Sequence, residues 1–312
     1  MPDRLRVTRL VIGCAAALCT VPYLTLKILW LTGNGVGFVD SAVVSEPSML
    51  VLNAVTAAMD IVAIVVALAF TQSWGMRLPA WLVVFPMWVG TGLLGVIAVA
   101  QPISALGGEV STGTGPVQPW VYTVVYSGFT AQGVLLGAAF LFYARTRWAV
   151  LFVAGQAKSS GTRRLQIGLA NLGSALAVGV AVVYLVRMVG LPLGMPAEAL
   201  AHMNFAAGVS NAVYGLSALA GAVGVQLVVR GRSGWTPLVL AWVGSGGLFS
   251  WGMWSMVNLL GGTVLGVGRV IALDAFTEFA RVLAGTLLGV LLLFVMVERL
   301  AAAKKTRSVV PA

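Results

Sequence analysis

The motif Trp88-Val-Gly-Thr-Gly92 recurs 154 positions later as Trp242-Val-Gly-Ser-Gly246. Two further matches keep the same order, at offsets of 158 and 152: Asn53-Ala-Val55 with Asn211-Ala-Val213, and Gly133-Val-Leu-Leu-Gly137 with Gly285-Thr-Leu-Leu-Gly289. Matches in one order and nearly one register are typical of an internal duplication. The sequence therefore predicts one structural unit that is present twice.

The composition indicates that this unit lies in lipid. The 312 residues are 59% hydrophobic and only 9% charged, whereas a soluble chain carries about 25% charged residues. So few charges do not cover a water-facing surface, and we expect the lipid bilayer as the main partner. The net charge of +10 does not indicate nucleic acid, because the basic residues lie in short loops and tails.

Eight apolar runs have the length of about 20 residues that a bilayer-crossing helix needs. The predicted spans are 9–31, 48–71, 79–101, 119–143, 166–190, 203–229, 236–260 and 271–297. Within lipid the backbone has to satisfy its own hydrogen bonds, and these runs lack the alternation of barrel strands. We therefore expect an all-α integral membrane protein.

The distribution of basic residues predicts the orientation of the spans. One side carries 15 of them, against Arg269 alone in the loops opposite: Arg4, Arg6, Arg9, Arg77, Arg145, Arg147, Lys158, Arg163, Arg164, Arg230, Arg232, Arg299, Lys304, Lys305 and Arg307. By the positive-inside rule both termini are cytoplasmic. We expect a multi-pass protein of a bacterial plasma membrane.

Four spans per unit is an even number, so both units enter the membrane from the same side. This predicts two parallel four-helix repeats related by an axis along the membrane normal. The predicted organisation is a first repeat at 1–147, a cytoplasmic linker at 148–165, a second repeat at 166–300 and a basic cytoplasmic tail at 301–312.

Six ionisable residues lie inside the predicted spans and are the candidates for a polar cavity: Lys27, Asp60, Arg187, Asp274, Glu278 and Arg281. Charge within a membrane is costly, which makes such residues functional candidates. Two structural interpretations stay open beside this one. Lys27 and Arg187 lie near span ends and have the length to extend to the interface, and Glu278 and Arg281 have the spacing of a helical i,i+3 pair.

Asp60 is the strongest of these candidates. It lies about 18 Å into its helix from the outer side, at 1.5 Å per residue, and its equivalent in the second repeat is Ala218. Arg281 lies at a similar depth of about 15 Å. Because an unpaired charge at this depth is expensive, we expect the two to approach within salt-bridge distance, directly or through one bridging residue. Lys27 or Glu278 are the alternative partners for Asp60.

The sequence offers little for cofactor or metal chemistry. His202 is the single histidine, too few for bis-histidine haem, histidine-rich zinc or di-iron sites, and we interpret it as a solvated interfacial residue. No phosphate-binding glycine loop or nucleophile elbow is present. A metal site built from Asp60, Asp274 and Glu278 stays open, but we expect no cofactor.

Other residues are interpreted first as packing elements. Cys14 and Cys19 are five apart, so on a helix they point about 140° away from each other and do not bridge. The glycine pairs Gly133/Gly137 and Gly285/Gly289 are expected at close helix contacts. Two tryptophans and an asparagine near the end of the seventh span are core or lipid-facing residues, or else the wall of a site: Trp251, Trp254 and Asn258.

Pro22-Tyr-Leu-Thr-Leu-Lys-Ile-Leu-Trp30, followed by Leu-Thr-Gly, resembles the first helix of uncharacterised actinobacterial multi-pass membrane proteins. The bias toward Ala, Gly, Val and Leu is similar to theirs. The resemblance covers about a dozen residues and implies an origin, with no activity to carry over.

Three functions follow from these observations. The first is binding or translocation of a small or amphiphilic molecule in an outward-facing polar cavity lined by helices 1, 2, 5 and 8. The second is a membrane enzyme acting on a lipid-linked or apolar substrate, with Asp60 or Glu278 as acid or base. The third is a non-catalytic partner or immunity-type subunit, which predicts paired charges and no cavity. The oligomeric state is left open.

Overall fold

The computed structural model of the chain describes residues 3–108, 116–152, 161–195, 200, 203–232, 234–261 and 272–309. In these ranges the chain forms eight long helices and no β-strand, which confirms the all-α class. The helices are α1 (Asp3–Leu31), α2 (Pro47–Thr71), α3 (Trp81–Leu106), α4 (Pro119–Arg147), α5 (Arg163–Met188), α6 (Phe205–Val229), α7 (Trp235–Leu260) and α8 (Ala272–Val309).

Seven of these helices are long and apolar enough to cross a membrane. The exception is α7, which has 26 residues but carries four tryptophans, four glycines and three serines that lower its hydropathy. This composition suits its position, because α7 packs against α3, α6 and α8. A helix covered by protein on several sides does not need the apolar surface that lipid requires.

The helix ends follow local sequence signals. Pro47 and Pro119 stand in the first turn of α2 and α4, where a missing N–H leaves no hydrogen bond unmade. The side chain of Asn204 accepts a hydrogen bond from the Ala207 amide and caps α6. Short 3₁₀ turns at Ser41–Ser45, Ser73–Arg77 and Ala149–Phe152 lie in the connections.

The first set of helices is α1–α4 and the second set is α5–α8. The two sets differ in whether their four helices form a closed ring. In the second set each of α5–α6, α6–α7, α7–α8 and α8–α5 is an extensive contact, so the four helices form a closed ring. In the first set α1 packs on α2 and α4, and α4 packs on α3, but α2 and α3 meet at few positions. The first ring is therefore open between α2 and α3.

The recurring Trp–Gly motif lies where the two sets meet, at the contact of α3 with α7. A Cβ atom added at Gly92 would lie 2.2 Å from the carbonyl oxygen of Gly246, and one added at Gly246 would lie 2.8 Å from that of Trp88. Trp88 Nε1 donates to Ser245 Oγ at 3.0 Å. The missing side chains let the two backbones approach this closely.

Hydrogen bonds along this contact show that α3 and α7 run in the same direction. Ser250 Oγ donates to the Val89 carbonyl at 3.1 Å, and one residue later Trp251 Nε1 donates to the Leu93 carbonyl at 3.2 Å. Further along α3, Val96 and Ala100 pack with Val209 and Val213 of α6. The contact between the sets thus involves α3, α6 and α7.

The expectation for the glycine pairs is confirmed at three positions and wrong at one. An added Cβ atom would lie 2.3 Å from Phe249 N at Gly285, 2.4 Å from Trp88 Cζ2 at Gly289 and 3.1 Å from Leu94 Cβ at Gly133. At Gly137 it would meet no atom of the described chain within 4 Å. The packing at Gly289 depends on Trp88 of the other set, which has no counterpart against Gly137.

Candidate functional site

A cavity of about 820 Å³ lies within the first set of helices, where α2 and α3 are apart. Its walls come from α1, α2, α3 and α4, and Trp251 and Trp254 of α7 complete the side next to the second set. The volume falls within the range of about 300–1,000 Å³ that is typical of small-molecule sites. The walls are mostly apolar, with a few polar side chains among them.

A packed aromatic layer lies next to one end of the cavity, in the same buried cluster as the lining residues Val66, Met87 and Leu136. Phe70 and Tyr143 pack with ring centroids 4.9 Å apart, among buried side chains of α1, α2, α3 and α4. Tyr143 donates its hydroxyl to the Gly75 carbonyl at 2.7 Å, which ties α4 to the α2–α3 connection. On the predicted orientation this layer lies on the cytoplasmic side.

The other end is covered by residues 37–39 of the α1–α2 connection and residues 116–118, which precede α4. The Val39 amide donates to the Pro116 carbonyl at 2.9 Å and the Gln118 amide donates to the Gly37 carbonyl at 2.7 Å. Phe38 lies in this cover and packs edge-on against Trp30, with ring centroids 5.1 Å apart. The described residues therefore place a cover at this end of the cavity.

Lys27 of α1 is buried at the cavity wall, with 6% of its surface exposed. Its ammonium donates to Asn53 Oδ1 at 2.8 Å and lies 4.5 Å and 5.0 Å from the ring centroids of Tyr23 and Trp30. Cation–π contacts and a hydrogen bond compensate part of the lost hydration. The interpretation of Lys27 as a residue that extends to the interface is therefore wrong.

Asp60 of α2 lines the same cavity and is also 6% exposed. Its Oδ2 atom is buried and has no hydrogen-bond partner in the described part of the chain, and the same holds for Nδ2 of Asn53. A buried carboxylate oxygen without a partner is costly in a folded protein. Asp60 and Asn53 are seven residues apart, so both side chains lie on one face of α2.

The other four candidate residues pair with one another inside the second set. Arg187 Nη2 lies 2.9 Å from Asp274 Oδ1, and its Nε donates to the Leu193 carbonyl at 2.9 Å. Arg187 is buried, so it does not extend to the interface either. Arg281 Nη1 lies 3.5 Å from Glu278 Oε2, which confirms the i,i+3 pair.

A buried tyrosine completes the second charge cluster. Tyr184 of α5 donates its hydroxyl to Glu278, and the same oxygen accepts from Arg281 Nη1 at 2.9 Å. The Arg281 guanidinium lies 4.1 Å from the Tyr214 ring centroid and 5.0 Å from that of Tyr184. None of these residues lines the cavity described above.

The expected approach of Asp60 to Arg281 is therefore wrong, as is a cavity lined by helices 1, 2, 5 and 8. The two residues belong to different helix sets, and Arg281 already has Glu278 and Tyr184 as partners. The charge that shares the cavity with Asp60 is Lys27, one of the two alternatives. Similar depth along two helices does not determine which faces meet.

Aromatic rings separate the two groups of charges. Trp251 lines the cavity, and its ring centroid lies 5.6 Å from that of Tyr214, which in turn contacts Arg281. Trp251 and Trp254 thus form a wall of the cavity, which was the second interpretation from the sequence. The Asn258 amide donates to the Trp254 carbonyl at 2.8 Å.

Cys14 and Cys19 are both free thiols.

The remaining candidates carry little chemistry. In the described ranges no three His, Cys, Asp or Glu side chains cluster as metal ligands, and Asp60 lies apart from Asp274 and Glu278. His202 lies outside the described residues. Sequence reasoning did not include Asn53 and Gln132 in the site, although both are buried polar residues at the cavity. The feature of the sequence that could have identified them is an amide side chain within an apolar span.

Comparison of the chain with protein-family models, with curated proteins and with solved structures found no match.

Proposed function

We propose that the protein binds a small amphiphilic molecule within the membrane, in the cavity of the first helix set. One observation carries the proposal. Asp60 is buried at the wall of a cavity of ligand size, and one of its carboxylate oxygens has no partner in the described chain. A buried polar atom that the protein leaves unsatisfied is a typical contact for a bound molecule.

The walls support an amphiphilic ligand over a small polar one. Lys27, Asn53 and Asp60 supply polar groups on α1 and α2, and most of the remaining lining is aliphatic or aromatic. A molecule with one polar end satisfies the first region, and its apolar part covers the second. Translocation would further require the Phe70–Tyr143 layer to open, so binding is the function proposed here.

The alternatives receive less support. A membrane enzyme that uses Glu278 would need that carboxylate to reach a substrate, but Glu278 is engaged by Arg281 and Tyr184. A non-catalytic subunit predicts charges that are all paired and no cavity, which fits the second helix set but does not fit the first.

The proposed setting is a bacterial plasma membrane, as in the multi-pass actinobacterial proteins that the first helix resembles, with eight spans and both termini cytoplasmic. The even number of long helices in the described ranges and the basic residues in the loops on one side support this orientation. In a chain without Cys14 and Cys19, a cysteine at Ser41 should react with an impermeant maleimide on intact cells and one at Gly161 should not. The reverse pattern would exclude this orientation.

We further propose that the two sets arose by duplication. The support is that the recurring Trp–Gly motif occurs in α3 and α7, which run in the same direction and contact each other through it. Superposition of 9–143 on 166–297 in an experimental structure should bring Trp88 onto Trp242 by rotation about one axis. A different helix order in the two sets would contradict it.

The experiment that tests binding uses two glycines of α3. A Cβ atom added at Gly90 or at Gly95 meets no atom of the described chain within 4 Å, but only Gly90 lines the cavity. Gly90→Phe should therefore fill the cavity without loss of folding. Gly95→Phe is the matched control.

Both variants would be purified in mild detergent, and co-purifying small molecules would be counted by native mass spectrometry. We expect bound amphiphile on the wild type and on Gly95→Phe, and at least a roughly tenfold loss on Gly90→Phe, equivalent to about 1.4 kcal/mol of binding free energy. Equal occupancy of both variants would exclude this cavity as the binding site.

A further inference from the structure

A second space, of about 500 Å³, adjoins the cavity and lies between α2, α3 and α7. We call it the side groove. Six residues line both spaces: Leu52, Val55, Met59, Val89, Leu93 and Trp254. The side groove and the cavity therefore meet at these side chains, on the side where α2 and α3 are apart.

The groove has the chemistry of a site for a hydrocarbon chain. Its lining is almost entirely apolar, with Ser48 and Ser250 as the hydroxyl-bearing exceptions. Val51, Val55 and Val257 on its two sides are each about half exposed. The corresponding space in the second helix set is filled, since Val209 and Val213 of α6 pack against α3. The groove is thus a specific property of α2 and its neighbours.

The polar residues of the cavity determine which lipid head groups can bind there. Lys27 and Asp60 have opposite charges, so the site is formally neutral. A head group with a net charge would leave one charge uncompensated in apolar surroundings, which is costly. Asp60 Oδ2 offers an unused acceptor and Asn53 Nδ2 an unused donor. The complementary head group is neutral overall and carries both a donor and an acceptor.

We propose that the cavity takes a net-neutral bilayer lipid from the side, with its chain in the groove and a head-group N–H or O–H on Asp60. This rests on the proposed binding function and names its ligand class and route of entry. A phosphoethanolamine head has the required chemistry, because its ammonium donates, its phosphate accepts and its net charge is zero. A phosphocholine head lacks the donor, and a phosphoglycerol head carries a net negative charge.

The head-group test compares three lipids with identical acyl chains. The protein would be reconstituted into vesicles of equal parts phosphatidylethanolamine, phosphatidylcholine and phosphatidylglycerol, and then extracted for native mass spectrometry. We expect phosphatidylethanolamine to exceed each of the others by roughly tenfold, the value of one hydrogen bond to a charged group. In Asp60→Ala the preference over phosphatidylcholine should fall to about one, and phosphatidylglycerol should gain, because Lys27 is then the only charge of the pair. Equal retention of the three lipids by the wild type would overturn the head-group assignment.

The route is tested at Val55, which lines both the cavity and the groove. Val55→Trp should lower the bound long-chain lipid roughly tenfold because the indole fills the junction. Ile61→Trp is the matched control, since Ile61 lies on the same helix with similar exposure and lines neither space. Val257→Trp, on the opposite side of the groove, should repeat the result independently of α2.

A short-chain phosphatidylethanolamine added from water separates the two proposals. It should bind the wild type and Val257→Trp equally, because Val257 lines the groove and not the cavity and no long chain needs the groove. Such binding also shows that the variant is folded. Retention of long-chain lipid by Val55→Trp at the wild-type level would overturn lateral entry alone. A wild type that binds neither the short-chain nor the long-chain lipid would overturn the binding function itself.

Discussion

The two helix sets use their buried charges in opposite ways. In the second set Arg187 pairs with Asp274, and Arg281 shares Glu278 with Tyr184, inside a closed ring of helices. In the first set Lys27 has an amide for a partner, and Asp60 lines an open cavity with an unused oxygen. Charges that satisfy each other stabilise a packed bundle, whereas charges left partly unsatisfied are available to a ligand.

The difference between the sets is concentrated in α2 and its counterpart α6. The sequence match of Asn53-Ala-Val55 with Asn211-Ala-Val213 aligns Asp60 with Ala218, which is 0% exposed and belongs to the core of the second set. Close to it, Gly221 of α6 meets Gly244 of α7, where an added Cβ atom would lie 3.0 Å from a backbone carbon. Small residues bring α6 against α7, and α2 has no such contact with α3.

The largest expected effect comes from exchanging these two residues. Ala218→Asp would bury an unpaired carboxylate in a packed core and should reduce the free energy of unfolding by about 4 kcal/mol or more. Asp60→Ala should cost less than this, because removal of an unsatisfied buried oxygen offsets part of the loss of the charge opposite Lys27. Denaturant titration in one detergent measures both, with Ala218→Asn as the control for volume. Equal losses at the two positions would remove the contrast between the helix sets.

The second test uses the glycines that occupy equivalent positions in α4 and α8. Gly289→Leu should destabilise the protein by about 1–3 kcal/mol, since the new side chain has to displace Trp88. Gly137→Leu should be tolerated, because an added side chain meets open space there. Folded yield and melting temperature in detergent provide the comparison. If the two variants melt together, α4 and α8 are packed alike and the asymmetry is wrong.

The smallest effect is a difference between two double-mutant cycles. Glu278→Gln and Arg281→Met should couple by about 0.5–3 kcal/mol, because the two side chains are in contact. Asp60→Asn and Arg281→Met should add to within about 0.5 kcal/mol, because the residues belong to separate clusters. Free energies of unfolding of the three single and two double variants measure both cycles. A coupling of Asp60 with Arg281 as large as that of the helical pair would restore a single shared site.

Much of the architecture was predictable because it depends on local composition. The helices agree with the apolar runs to within three residues, except that α1 starts at Asp3, α3 continues to Leu106, α4 to Arg147 and α8 to Val309. The extensions of α1, α4 and α8 carry the charged residues that hydropathy assigns to loops. The low hydropathy of α7 marked a helix surrounded by protein, a distinction that a count of apolar residues does not make.

The site was predictable in its residue types and unpredictable in its geometry. All six ionisable candidates lie within helices, and Lys27 and Asp60 do line the cavity. Their partners could not be inferred, because depth along a helix axis says nothing about rotation about it. Asn53 shows the same limit, since its role follows from its position against Lys27 and the sequence showed only a repeated Asn-Ala-Val.

The sequence by itself determined the lipid-like composition, the order of the helices and the residues that carry charge, since each depends on runs of neighbouring residues. Only the tertiary structure decided that one helix set closes and the other stays open. That choice rests on contacts between distant segments, such as Gly92 with Gly246 and Gly221 with Gly244. The same motifs occur in both halves of the sequence. Small differences between α2 and α6 determine that a cavity lies beside α2 and that a neighbouring helix lies beside α6.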